Sequence, residues 1–195
     1  MNRTDIINHL IKLHSYKKYL EIGVQDYYKN LDKIDIELKH GVDPQPRNKC
    51  DYVMTSNKFF EQLDDQYKYD IIFIDGLHLT EQVDLDLINS LKHLSENGTI
   101  VMHDCHPTDE REQFREQGSF GWMGDVWKSV AKLRRQRTDL EIEVIDTDCG
   151  CGIIRRTNIQ QLHLGEFELN WENYVKYQKE ILNLISISDF LAKYK

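Results

Sequence analysis

The sequence predicts an α/β protein: a doubly wound, mostly parallel sheet with helices on both faces and one late antiparallel strand. Three features predict it. Short apolar runs alternate with longer amphipathic ones, the sequence form of βαβ units. Tyr69-Asp-Ile-Ile-Phe-Ile74 is β-branched and aromatic and breaks at Asp75-Gly76, as a strand buried on both faces does. Two further apolar runs, 140–145 and 152–154, are separated only by a short polar turn and read as an antiparallel hairpin.

In chain order, Ile6, Ile7, Leu10, Ile11 and His14 recur at helical spacing over residues 4–15, with Thr4 as the cap. Tyr19-Leu-Glu-Ile-Gly-Val24 is the first strand and stops at polar Gln25-Asp26. A short helix over 28–34 leads to a second strand ending His40-Gly-Val-Asp-Pro44, since proline cannot continue a ladder. Tyr52-Val-Met-Thr55 is a short third strand, and Ser56 caps a helix carrying Phe59, Phe60 and Leu63. After the strand over 69–74, residues 80–94 put Val83, Leu87, Leu91 and Leu94 on one helical face. Asn97-Gly98 ends that helix, and Thr99-Ile-Val-Met102 runs into His103-Asp104. Residues 107–121 are polar and aperiodic, the pattern of a lid or binding loop. Val126, Val130 and Leu133 define another helix, whose basic end over 132–137 suits the negative end of the helix dipole. Beyond the hairpin, residues 171–194 form a helical tail with Tyr174, Tyr177, Ile181 and Ile185 on one face.

Composition excludes several classes. The 195 residues carry 25 Lys+Arg against 33 Asp+Glu, a net charge of −8. Such a balance does not suit an extended phosphate backbone, so no nucleic acid is expected as partner. No apolar run approaches a membrane span. The first 24 residues lack the apolar core of a signal peptide, and cytoplasmic residence is the expectation. Cysteines at 50, 105, 149 and 151 have no framework spacing. They are expected as free thiols, with Cys149-Gly-Cys151 as small hairpin residues rather than a redox or zinc pair.

Ligands of doubly wound sheets bind beyond the carboxyl ends of the strands, near the switch in strand order. That directs attention to residues 21–26, Asp43, 75–78 and 103–106. The first turn has one glycine, Gly23, where a dinucleotide-binding turn needs three. Glu21 and Asp26 make it acidic, which disfavours a phosphate and suits a cationic or neutral ligand. Asp43, about twenty residues past that glycine, can accept hydrogen bonds from both hydroxyls of a ribose. Preceding a proline, it also reads as a turn former.

Tyr19-Leu-Glu-Ile-Gly-Val24, Gly41-Val-Asp-Pro44, Phe73-Ile-Asp-Gly-Leu-His78, Val101-Met-His-Asp-Cys105 and Gly124-Asp-Val-Trp-Lys128 occur in this order and spacing. Together, over residues 17–157, they resemble the class I S-adenosylmethionine-dependent methyltransferases. Within that group they resemble the small-molecule branch that holds the macrolide-sugar O-methyltransferases of the macrocin and mycinamicin type. The resemblance implies a seven-stranded sheet of order 3-2-1-4-5-7-6 with the last strand antiparallel. It implies one domain, with an N-terminal helix over 1–16, a nucleoside-binding core over 17–157 and a helical tail over 158–195. It also implies S-adenosylmethionine as cofactor: Glu21 and Gly23 against its methionine part, Asp43 on its ribose, Ser56 near its adenine, and Asp75 beside it. The chain departs from the family where Asp26-Tyr27-Tyr28 stands in place of a second glycine. Bulk there would narrow the methionine pocket.

Strands four and five are neighbours in such a sheet, which brings Asp75 and His78 near His103 and Asp104, about 5 Å from strand to strand. A neutral hydroxyl is a poor nucleophile, so O-methylation needs a base near neutral pKa or a divalent cation. His78 is the candidate base. Asp75 and Asp104 match acidic metal positions in the resembled enzymes, and His103 replaces a carboxylate at the remaining one. Either Asp75, His103 and Asp104 hold an ion, with the imidazole tilting preference from Mg²⁺ toward Mn²⁺, or no metal binds. The expected reaction is O-methylation of a small-molecule hydroxyl, such as a sugar's. The alternatives are a catalytically silent binding protein, motivated by the tyrosine turn, and a metal-dependent hydrolase built on His103-Asp104-x-His106. Trp122 is a candidate acceptor contact. The aromatic tail is left to pack on its own sheet or on a second copy of the chain, as a homo-oligomer.

Overall fold

A computed structural model describes residues 1–118, 121–157 and 167–195. Seven strands form one sheet: β1 (Lys18–Ile22), β2 (Leu38–Val42), β3 (Tyr69–Ile74), β4 (Leu94–Met102), β5 (Leu140–Ile145), β6 (Cys151–Arg156) and β7 (Leu184–Ile185), in the order β2-β1-β3-β4-β6-β5-β7. The β2–β1, β1–β3, β3–β4 and β5–β7 pairs are parallel, while β6 runs antiparallel to both β4 and β5. The expected doubly wound architecture is therefore present. The expected third strand shrinks to a single bridge between Tyr52 and Val42, and the edge it would have extended is finished by Pro44 and Pro46.

The period-two alternation of the strands divides the apolar residues between two layers. Leu20, Ile22, Ile72 and Ile74 face α2 (Ser56–Gln62), α3 (Thr80–His93), α4 (Val126–Gln136) and α5 (Trp171–Leu182). Tyr19, Ile71, Phe73, Val101 and Ile153 face α1 (Arg3–His14) and α6 (Ile187–Lys193). Burial on both faces is why β3 reads as an apolar run from Ile71 to Ile74.

Several boundaries differ from the sequence expectation, each for a local reason. Asn2, not Thr4, caps α1, in a reciprocal box with Asp5; the Thr4 hydroxyl donates instead to Asn30 Oδ1 at 2.7 Å. Thr55, not Ser56, caps α2, accepting from the Lys58 N–H. The helix expected over 28–34 is only a single 3-10 turn, Leu31–Lys33. Leu31 and Ile34 are the only buried apolar side chains there, too few for a longer helix. The tail is not one helix: Asn183 adopts a left-handed conformation (φ 48°) that ends α5, Leu184–Ile185 joins the sheet beside β5, and Ser186 caps α6. Tyr174, Ile181, Leu182 and Phe190 are all buried within the chain. Among the described residues no helix is long and apolar enough to cross a membrane, and all four cysteines are free.

Candidate active site

Strand order reverses direction between β1 and β3, and the cleft at their carboxyl ends is where such a sheet takes its ligand. A cavity of about 980 Å³ opens there. Its lining includes Glu21, Gly23, Asp43, Ser56, Asp75, His78, His103 and Asp104, so the residues expected to hold the cofactor, act as base or ligate a metal meet in one space.

At the β1 end, Gly23 has φ +88°, and a Cβ there would stand 2.0 Å from the Asp75 backbone oxygen. Only glycine lets the β1 and β3 ends approach this closely. Glu21 is 1% exposed and accepts from the Tyr19 hydroxyl at 2.5 Å and from Asn30 Nδ2 at 2.8 Å, both on Oε2. Burial raises its pKa to about 7 despite those two donors. At the β2 end, Asp43 takes the Gln25 N–H on Oδ2 at 2.8 Å and the Gln45 N–H on Oδ1 at 2.7 Å. The turn-forming reading is met, and the carboxylate also lines the cavity. Asp26-Tyr27-Tyr28 does not narrow the cleft. Neither tyrosine lines the cavity, Tyr28 is 54% exposed, and Lys49 lies over both rings.

On the adenine side expected from the sequence, Ser56 is buried and Gln82 Nε2 donates to its Oγ at 3.2 Å and to Asp86 Oδ1 at 3.0 Å. Burial pushes the Asp86 carboxyl up to about 6, against hydrogen bonds from Ser56 and Gln82. Asp86 lines the cavity too and was missed in the sequence, where it reads as a polar position on an amphipathic helix.

The β3 and β4 ends carry the densest charge. His78 Nε2 lies 3.3 Å from Asp75 Oδ1 and 3.2 Å from Asp104 Oδ2. Its Nδ1 is 3.3 Å from the Trp122 carbonyl oxygen, and its ring stacks on the Trp122 indole at 4.8 Å. Burial lowers the His78 pKa, but the Asp75 hydrogen bond and the Asp104 charge outweigh it, so the net shift is upward. His103 is similar: burial lowers it, and Asp104, Asp148 and Asp75 raise it well above an ordinary imidazole. Burial alone would raise Asp75, yet His103 and His78 hold it far below the usual carboxylate range. Asp104 has φ 58°, a left-handed backbone that an aspartate tolerates better than most side chains.

Two members of this cluster were not expected from the sequence. Arg3, in the first turn of α1, places Nη1 2.8 Å from Asp75 Oδ2 and 3.2 Å from His103 Nδ1. Asp148, in the β5–β6 turn, receives the Arg3 backbone N–H at 2.8 Å, Nε at 3.0 Å and Nη2 at 3.2 Å. A cation in the first turn of a helix stands at the unfavourable end of the dipole. That anomaly was the one available signal for Arg3.

His106 does not join the cluster. It faces α5, with Nε2 2.8 Å from Gln178 Oε1 and Nδ1 3.3 Å from Asp146, which removes the basis for a His103-Asp104-x-His106 hydrolase. The expected metal set does not fit either. An ion bound by Asp75 and His103 would sit roughly 2 Å from each, in the gap that Arg3 Nη1 occupies. Other threesomes do converge within 4.8 Å: Asp75, His78 and Asp104; His103, Asp104 and Cys149; His103, Asp148 and Cys151. All lie beside the same guanidinium, which repels a cation.

The aperiodic stretch is anchored rather than loose at its described ends. Glu110–Gln113 is a capped 3-10 turn, and Arg115 pairs with Asp125 at 2.6 Å and Glu81 at 2.9 Å. Ser119 and Phe120 lie outside the described residues.

Residues 13–105 match the model of a family described as a methyltransferase domain. No curated protein sequence matches the chain. Among solved structures, the O-methyltransferase TomG from Streptomyces achromogenes, in complex with SAM, superposes with a TM-score of 0.59 at 12% identity, covering 80% of each chain. The O-methyltransferase from Bacillus cereus, in complex with SAH, gives 0.57 at 12% identity over 80% of this chain and 82% of that one. The mycinamycin enzyme MycE gives only 0.48, over 50% of its own chain, too loose a likeness to speak to the acceptor. Matched over residues 13–105 by a methyltransferase domain and superposing on O-methyltransferases along about four-fifths of its length, the chain has the class I S-adenosylmethionine-dependent methyltransferase fold.

Proposed function

We propose that this chain transfers a methyl group from S-adenosylmethionine to a hydroxyl of a small molecule, with sugars as the first acceptors to try, in the cytoplasm as a single methyltransferase domain. The observation that carries the reading is that one cavity joins Glu21, Gly23, Asp43 and Ser56 to the His78 pair with Asp75 and Asp104. The donor set fits the cofactor. Both Glu21 hydrogen bonds fall on Oε2, which leaves Oε1 as acceptor for an ammonium, and Asp43 keeps a second lone pair on each oxygen for the ribose hydroxyls. An acidic wall also suits a sulfonium. The net charge of −8 and the four free thiols support a small acceptor and a reducing compartment.

When bound, the cofactor supplies an electrophilic methyl carbon, whose bond to sulfur breaks as the bond from the acceptor oxygen forms, leaving the thioether S-adenosylhomocysteine. The chain's task is the hydroxyl proton. With Nδ1–H donating to the Trp122 carbonyl, the neutral form of His78, which its raised pKa makes scarcer, offers Nε2 to the acceptor proton. After the proton arrives, Nε2–H is held between Asp75 and Asp104, so the imidazolium forms where its charge is met. Stacking on Trp122 fixes the ring plane. Calorimetric titration with S-adenosylhomocysteine tests the first half of this reading, with saturable heat expected and an absence of heat and thermal shift overturning it. Release of S-adenosylhomocysteine across a panel of hydroxylated sugars tests the second half. Carboxylate or thiol acceptors turning over in their place would refute the hydroxyl.

A further inference from the structure

Arg3 lies 72 residues from Asp75 and 145 from Asp148 in sequence, yet its guanidinium bridges the two. The contact is built from both sides. The Asn2–Asp5 capping box fixes the first turn of α1, so Arg3 leaves the helix in one direction. The β5–β6 turn passes through three consecutive left-handed residues, Asp148, Cys149 and Gly150, which turn the Asp148 carboxylate toward it. Asp148 then accepts the Arg3 backbone N–H, Nε and Nη2 together, a fork that a lysine cannot reproduce. This leaves Nη1 for Asp75, and the same nitrogen abuts His103 Nδ1. His103 is 4% exposed, with Nδ1 against Arg3 Nη1 and Asp104 Oδ1 and Nε2 facing Asp148 Oδ1 at 3.6 Å, so it is packed against the guanidinium among the same carboxylates.

We infer that the Arg3 guanidinium is this chain's resident cation at the strand ends, filling the gap between Asp75, His103 and Asp148 that a divalent ion would need, so that the site works without a metal. Arg3 acts through Asp75: it holds Oδ2, turns Oδ1 to His78, and so positions the base. It is a positioning residue. A guanidinium meets the same carboxylates with directed N–H donors, stays charged at any working pH, and leaves the acceptor hydroxyl to be deprotonated by His78 rather than by coordination. The assignment deepens the methyl-transfer reading and rests on it for the role of His78. The metal question itself is separable from that reading.

The test is a titration of chelator-treated protein with MnCl₂, followed by calorimetry and by the loss of the free-ion electron paramagnetic resonance signal. The wild type is expected to show no saturable binding up to 1 mM (about the weak end of useful affinity). Arg3→Ala, which opens the gap and leaves the carboxylates without their cation, is expected to bind Mn²⁺ at least tenfold more tightly than that limit. Arg3→Lys is expected to block the ion as the wild type does while lowering kcat more than it changes KM, because it cannot hold both carboxylates at once. Saturable Mn²⁺ binding by the wild type overturns the inference, as does an Arg3→Ala protein that binds S-adenosylhomocysteine normally yet no metal. Should Arg3→Ala fail to fold, the wild-type titration alone decides. S-adenosylhomocysteine binding, measured in parallel, reports separately on the methyl-transfer reading.

Discussion

Replacing Glu21 by glutamine separates what its carboxylate does for the fold from what it does for the ligand. The residue is 1% exposed, and burial lifts its pKa from the ordinary 4.5 to about 7. Between those two values the folded protein keeps a proton that the unfolded chain has released, so the unfolded state binds fewer protons and stability falls as pH rises. Each pH unit is worth about 1.4 kcal/mol. Across this gap of about two and a half units, ionised Glu21 costs the fold roughly 3 kcal/mol, in full above pH 7 and not at all below 4.5. Glutamine offers its carbonyl oxygen to the same two donors, Tyr19 and Asn30, and does not ionise. Urea unfolding of both proteins from pH 4 to 8 should give curves that meet near pH 4.5 and diverge above it. Glu21→Gln should be about 1–3 kcal/mol more stable at pH 8, or roughly 3–9 °C in Tm. At that pH the same variant should bind S-adenosylhomocysteine at least about tenfold more weakly, having lost the anionic partner of its ammonium. Stability curves that stay parallel from pH 4 to 8 would refute the reasoning, because His78, His103 and the other titrating groups are common to both proteins and cancel in the difference.

Other outcomes follow from the same geometry. His78→Ala should lose about 100-fold or more in turnover while binding S-adenosylhomocysteine within about twofold of wild type; equal turnover removes His78 from the chemistry. Asp43→Ala frees the Gln25 and Gln45 N–H groups and, on the proposed reading, the ribose hydroxyls with them, so unfolding should cost about 1–3 kcal/mol less and ligand affinity should drop at least about tenfold. Lost stability with unchanged affinity would mark Asp43 as a turn former only. Gly124 has φ +61°, and a Cβ there would lie 1.8 Å from the His78 backbone oxygen. Gly124→Ala should therefore destabilise by about 1–3 kcal/mol and lower kcat far more than ligand affinity, since the displaced residue is the proposed base; an affinity loss as large as the kcat loss would contradict this.

Legibility of the sequence followed burial and locality. β3 was readable to the residue because a strand covered on both faces is apolar from Ile71 to Ile74, and Asp75, His78, His103 and Asp104 were readable because they follow the ends of such strands. The bundled tail was misread as one helix because Asn183 is an ordinary polar residue until its left-handed backbone is seen. Residues 28–34 have enough apolar positions to suggest a helix and too few to hold one. Arg3 and Asp148 escaped for a different reason: each sits in a polar end or turn, and only the folding of α1 and the hairpin against the strand ends makes them a pair. Local patterns found the residues contributed by strands; the cation that holds them came from elsewhere in the chain.

The backbone at Asp104 also limits what redesign can do. A left-handed φ beside the buried His103 is comfortable for glycine, asparagine and aspartate, and increasingly unfavourable for anything branched at Cβ. Diversity introduced at that position would mostly yield misfolded variants, whatever new acceptor it was meant to admit. Room for altered selectivity lies where the lining is open, as at Leu77, 51% exposed, whose side chain can be exchanged without bending the main chain.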